Sequence, residues 1–236
     1  MHFHLPKPLH GWREFIGEVG IIVIGILIAL GGEQVVEAIH WREQVRLERE
    51  ALQTEVVGNL DAVRLRLLLE PCVRVRLREV SRILDDADRG IQPKLATRVG
   101  FPLPFGTSKG AWNIAVTGDA LSHMPIQAQL DFSGAFANFD NWDAIRREEF
   151  DAWTRLDVVD QKSRLSETDL AGLRQALAQA IAIDGRLTSI GPFILRTANV
   201  GQKPDQFTLN EVFGAAGYGR DFCKPLLPNT DRAGEP

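Results

Sequence analysis

Histidine is scarce in this chain of 236 residues: five occur, at His2, His4, His10, His40 and His123, and only His123 lies well inside the part that follows the N-terminal apolar run. A histidine-built metal centre is therefore not expected, and His2 and His4 read as a solvated N-terminus. There is no H-E-x-x-H pair and no G-x-S-x-G elbow, which removes the commonest zinc-hydrolase and serine-hydrolase readings. Cysteine is just as thin. Cys72 and Cys223 are too few and too far apart for a zinc site or a C-x-x-C redox motif, and are either a pair or two buried thiols.

Neither charge sign dominates. With 27 Lys and Arg against 31 Asp and Glu the formal net charge is -4 and the pI about 5.8, so no basic field is available for a phosphate backbone and nucleic acid is not an expected partner. The run Gly106-Thr107-Ser108-Lys109-Gly110 holds P-loop letters in the wrong order with no apolar strand before it. Gly214, Gly217 and Gly219 form the reverse of the dinucleotide fingerprint outside any βαβ context. No catalytic set, no metal and no cofactor is expected.

What the chain does have is a globular composition, 44% hydrophobic and 25% charged, and one uninterrupted apolar run. Val19 to Gly32 reads VGIIVIGILIALGG without a charge. Glu18 and Glu33 bracket only about 22 Å of helix, short of the roughly 30 Å hydrocarbon core, whereas Trp12 and Trp41 lie about 44 Å apart on a continuous helix, matching the spacing of the two interfacial belts. The tryptophans are therefore the expected interfacial anchors of a membrane helix over 12–41, with a short tail at 1–11 and the bilayer as a partner. Both glutamates then fall just inside the boundary and need snorkelling or a polar partner. Glu18, Gly25, Ala29 and Gly32 share one face, a candidate packing site for another membrane helix or a second copy. The alternative is that Gly and Ala are simply common in membrane helices. A cleaved signal peptide ending near Ala29-Leu30-Gly31 competes, but Glu14 and Glu18 interrupt the approach and the helical pattern continues past Gly32. Lys7 and Arg13 on one side against Arg42, Arg46 and Arg49 on the other leave the positive-inside count undecided. The two cysteines favour the domain outside the cytoplasm.

A helical domain is expected over 42–203. Val36, Ile39, Val45, Leu52, Val56, Leu60, Val63 and Leu67 continue the first helix as a stalk. Pro71 should break or kink it just before Cys72. A second helix then covers Val73 to about Ala87, with Leu77, Val80 and Leu84 on one face. Val63 to Leu67 and Val73 to Arg78 alternate with period two, yet the longer frame keeps helical spacing, so helix is preferred to strand. Six arginines between Arg64 and Arg82 oppose only Glu70 and Glu79, a local excess of +4 that suits a solvated face paired with acids elsewhere better than an anion or lipid-headgroup site.

Prolines and glycines from Gly90 to Gly110 mark a long loop and a candidate site rim. A short helix around Ala111 to Leu121 follows, then Ser122 and His123, read as a helix-cap serine and a polar core histidine, and Pro125 at the start of a helix reaching about Asp160. On it Phe132, Phe136, Phe139, Trp142, Ile145, Phe150, Trp153 and Leu156 form an aromatic stripe that reads as core. The pairs Glu148 and Glu149, and Asp85 and Asp86, read as exposed. Ser166 with Asp169 resembles a capping box for a helix carrying Leu170, Leu173, Leu177, Ile181, Leu187, Ile190 and Ile194, which Gly191-Pro192 should kink or end. The Gly- and Pro-rich tail at 204–236, with a short helix near Leu209 to Ala215, would be pinned by a Cys72 to Cys223 bond.

At the anchor, Gly17-Glu18-Val19 followed by Ile22-Val23-Ile24-Gly25-Ile26-Leu27-Ile28-Ala29-Leu30 resembles the hallmark of an uncharacterised family of bacterial single-pass membrane proteins. Cys72 after a long helix and the segment from Ala111-Trp112 to His123-Met124-Pro125 are similar to its proteobacterial members. The resemblance implies a mainly α protein of the inner membrane, with a cytoplasmic N-terminus, one transmembrane helix and a helical-bundle-like periplasmic domain. It implies no activity. The leading expectation is a non-enzymatic interaction or accessory subunit. A ligand-sensing helical module on a stalk is the second. An enzyme with its site at the Gly90 to Gly110 loop and His123 is the third.

Overall fold

The computed structural model describes residues 11–92, 94–102, 106–162, 164–198 and 222–228. The N-terminal tail before Gly11, the expected helix near Leu209 and the Gly214 to Gly219 motif lie outside them. Among the described residues every regular element is helical: α1 (Trp12–Leu68), α2 (Glu70–Asp88), α3 (Gly110–Thr117), a single 3-10 turn (Ala120–His123), α4 (Ile126–Leu156), α5 (Val158–Gln161) and α6 (Glu167–Thr197).

α1 has 57 residues and is about 86 Å long. Its first half contains the apolar run Val19 to Gly32, none of it buried, and α1 is the one helix among the described residues long and apolar enough to cross a membrane. Its second half enters the core, where Leu52, Val56, Leu60 and Val63 are buried at three- and four-residue steps. No break separates the halves. The interruption comes at Leu69, earlier than Pro71, which sits instead in the first turn of α2, where its missing N–H has no partner to lose. Val73 N still reaches Leu69 O at 3.0 Å, so α2 continues almost directly from α1.

α6 runs antiparallel to this pair. Gly191 lies against Leu67, Asp184 against Arg66, and Arg174 against Asp85 and Asp88 near the far end. α4 is antiparallel to α6 in turn, with Arg155 beside Gln179, Glu148 bonded to Arg186 and Asn138 beside Thr197. Three helical columns result: α1 with α2, α4, and α6. The aromatic stripe of α4 fills the space between them, with Trp142 and Trp153 fully buried. Phe150 departs from the stripe: it is exposed and packs edge-on against Phe101 at 5.3 Å. Ile181 of α6 is likewise exposed.

α6 opens with the expected capping box: Asp169 N donates to Ser166 Oγ and Ser166 N to Asp169 Oδ2. Pro192 does not end it. A Cβ on Gly191 would stand 2.9 Å from both Leu67 methyls, so the bare glycine lets α1 approach closely, and the burial of Ile194 and Ala198 holds the last turn in place. α4 stops at Leu156 rather than near Asp160; the single turn α5 directs Asp160 back onto the chain, where its carboxylate accepts twice from Val99 N at 2.9 and 3.1 Å.

The loop between α2 and α3 is a strap that returns along the bundle. Ala96 N bonds Leu226 O at the distal end, and Thr107 N and Oγ1 bond Asp143 midway. Ser108 N and O then bond the Asn59 side chain. Side chains of α1, α4 and α5 thus take up the backbone groups of Val99, Thr107 and Ser108.

Candidate functional site

Among the described residues, two charged assemblies occupy the interior. The first joins all three columns. Arg66 on α1 donates from Nε and Nη2 to Glu149 on α4, at 2.9 and 2.5 Å to Oε1, and from Nη2 to Asp184 Oδ1 on α6 at 2.7 Å. Arg146, one turn before Glu149, pairs with the same carboxylate. Arg66, Glu149 and Asp184 are 2%, 1% and 6% exposed. Burial pushes the Arg66 guanidinium below its ordinary range, with Asp184 opposing. Burial likewise pulls Arg146 down to about 9, aided by the neighbouring Arg66 charge and opposed by Asp143. Two cations and two anions thus neutralise one another in a medium where a lone charge would be costly.

The second assembly is a clasp. Cys72, Arg76 and Glu79 follow at i, i+4 and i+7 on one face of α2 and hold the segment 222–228 by three kinds of bond. Cys72 is disulfide-bonded to Cys223, 151 positions further along the chain, with Cα atoms 4.9 Å apart. Arg76 donates to the carbonyls of Phe222 at 2.7 Å, Lys224 at 2.9 Å and Arg98 at 2.7 Å, and its guanidinium lies over the Phe222 ring. Glu79 accepts from Leu226 N at 2.9 Å. Phe222, Leu226 and Leu227 are then buried in the core.

These assemblies correct the reading of the arginine-rich stretch. Arg64 and Arg74 do pair with acids on their own helices, Asp61 and Glu70, but Arg66 and Arg76 are buried rather than solvated. Glu149 is buried too, although its neighbour Glu148 is exposed as expected. The signal was present: Arg66 falls three residues after Val63, and Arg76 three after Val73, both in the apolar frame. Such a position reads as core only once a partner is known, and the partners of Arg66 lie 83 and 118 residues away.

The candidate membrane face is open. Glu18, Gly25, Ala29 and Gly32 are exposed along α1, and a Cβ at Gly25 or Gly32 would meet nothing within 4 Å. Trp12 is exposed against Phe15, while Trp41 is half-buried under the ring of His123, centroids 3.9 Å apart and nearly parallel. His123 is thus an exposed residue stacked on the stalk, not a core histidine. Ser122 bonds Asp119 O and does not cap α4, whose N-cap is Pro125. Nor do His123 and the strap form one site: the strap reaches α1 at Asn59 and Glu55, some 14 to 18 residues beyond Trp41 and roughly 21 to 27 Å along the helix.

Between strap and α4 lies a cavity of about 400 Å³ whose walls include Pro102, Asp143, Arg146 and Phe150. No group of three or more His, Cys, Asp or Glu suited to a metal ion occurs among the described residues. No family model, curated protein or solved structure matches the chain.

Proposed function

We propose that the chain is a single-pass protein of a bacterial inner membrane, N-terminus in the cytoplasm and helical domain in the periplasm, acting as a non-enzymatic accessory subunit that engages another protein. The observation that carries this reading is the continuity of α1, one helix from the exposed apolar run to the buried residues Leu52 to Val63. α1 carries no proline and stays helical through the Gly31-Gly32 pair, so a tilt or rotation imposed within the membrane reaches the bundle. The open face at Gly25, Ala29 and Gly32 supports close approach of a partner helix, and Glu18 at its edge calls for a polar group in that partner. The Cys72–Cys223 bond supports the periplasmic placement, since disulfides persist in oxidising compartments.

The test is co-purification of the native full chain in mild detergent, compared with a Gly25→Leu, Ala29→Leu variant. A partner or self-assembly that the variant loses is expected; neither chain carrying a stable companion overturns the reading. Labelling intact cells with an impermeant maleimide, before and after reduction, tests placement: labelling only after reduction is expected. A second reading, a ligand-binding module, is favoured by the 400 Å³ cavity at Arg146 and is tested by a thermal-shift screen.

A further inference from the structure

The part of the bundle nearest the apolar half of α1 is an apolar corner. α3 begins beside Glu55, where Trp112 N donates to Glu55 Oε2 at 3.0 Å, and Gly118 at its end lies against Glu48. The 3-10 turn then brings His123 onto Trp41. From Glu55 to Trp41 the chain has descended 14 positions of α1, roughly 21 Å toward the apolar run. α4 starts at this lowest point and climbs away: ten residues into it, Phe136 already stacks on Trp112 at 5.0 Å. Only its first turns remain low, and these present Ile126 and Leu130, one turn apart on the same face, 68% and 59% exposed. The turn beneath them is anchored from inside by the burial of Ala120 and Met124.

We propose that this corner is a second membrane contact, Ile126 and Leu130 entering the interfacial layer of the bilayer that α1 spans. The inference rests on the single-pass reading above. If Trp41 marks the interfacial belt, the stack with His123 fixes the corner at the same height, three residues from Ile126. A lipid surface is the occupant because whatever lies at the height of Trp41 meets the bilayer without any further component being required. Two attachment points, the helix and the corner, would set the tilt of the domain and stop it from rotating freely about its stalk.

The experiment uses the full chain in phosphatidylcholine liposomes, with the native disulfide intact and single cysteines introduced as Leu30→Cys, Ile126→Cys or Ile181→Cys, each labelled with the environment-sensitive fluorophore NBD. Nitroxide-bearing lipids and aqueous iodide are the quenchers. The label at 126 is expected to emit to the blue of that at 181 and to lose its fluorescence to a shallow nitroxide. The label at 30 should lose it to a deep nitroxide, and that at 181, roughly 40 Å up the bundle, to iodide alone. Lipid quenching at 30 with a 126 label that behaves like 181 overturns the corner contact and leaves the single-pass reading standing. A 126 label shielded from both quenchers shows a protein cover and also overturns it. Absence of lipid quenching at 30 removes the single-pass reading and the corner contact together.

Discussion

Arg66 and Asp184 meet at 2.7 Å across 118 residues of sequence, and this bond, with the shared carboxylate of Glu149, ties the stalk helix to both other columns. Removing one member leaves an uncompensated buried charge, which typically costs about 3 to 5 kcal/mol. Arg66→Met is therefore expected to destabilise the domain by that order in urea unfolding. Adding Asp184→Asn should recover part of the loss, because Arg146 still pairs with Glu149 and Asp184 is the anion left without its partner. Equal stability of the single and double variants would show that the unpaired Asp184 charge contributes nothing to the loss.

Closing a loop of 151 residues through Cys72 and Cys223 restricts the unfolded chain strongly, by about 5 kcal/mol in the chain-entropy model. Cys223→Ser should lower the unfolding midpoint by a matching amount, and reduction of the native chain should reproduce it. Arg76→Met should act more locally. Faster amide hydrogen exchange at Leu226 with unchanged exchange in α4 and α6 is expected, since the guanidinium holds the carbonyls of Phe222 and Lys224.

Asp160 carries a pH signature. Burial, with Asp157 beside it, raises its carboxyl to about 6, while Val99 N works in the opposite direction. A carboxyl whose folded value exceeds its unfolded one binds its proton more tightly when folded, so its favourable contribution is complete at low pH and disappears as pH climbs from about 4 through 6. Asp160→Asn keeps an oxygen for Val99 N and removes the titration. Its stability relative to the native chain should rise between pH 4 and pH 7, as read from urea midpoints; a constant difference would refute the assignment. Asp169 has the opposite sign: Lys162 and the Ser166 cap hold it down to about 2, so its contribution is present above pH 4 and lost on acidification below that.

Gly191 faces both methyls of Leu67 at a distance a side chain would violate. Gly191→Val should destabilise by about 1 to 3 kcal/mol through overpacking. Leu67→Ala, itself costly in the native background, should cost less in combination with Gly191→Val. Additive effects in this double-mutant cycle would place the strain elsewhere.

The elements set by short-range physics were legible in advance. Fourteen consecutive residues without a charge, Val19 to Gly32, admit no polar face, so a helix long and apolar enough to cross a membrane follows from composition alone. The three- and four-residue spacing from Leu52 to Val63 made α1 continuous, and Ser166 with Asp169 satisfied the first turn of α6 within its own four residues. For the cysteines the composition allowed one pairing only, while the choice between a bond and two buried thiols was left to the fold. In each case the sequence determined the outcome because all interacting groups lie within a turn or two of one another, or because no competing partner exists.

Tertiary structure decided the rest. Whether Arg66 points to water or into the core depends on Glu149 and Asp184 arriving beside it, and whether Pro192 ends α6 depends on Leu67 filling the space above Gly191. Phe150 and Ile181 look like core residues by spacing, yet face outward because three columns bury only part of each helix's circumference. Such choices are made by groups far apart in the chain, whose energies exist only once the columns have packed, and no local pattern can carry them.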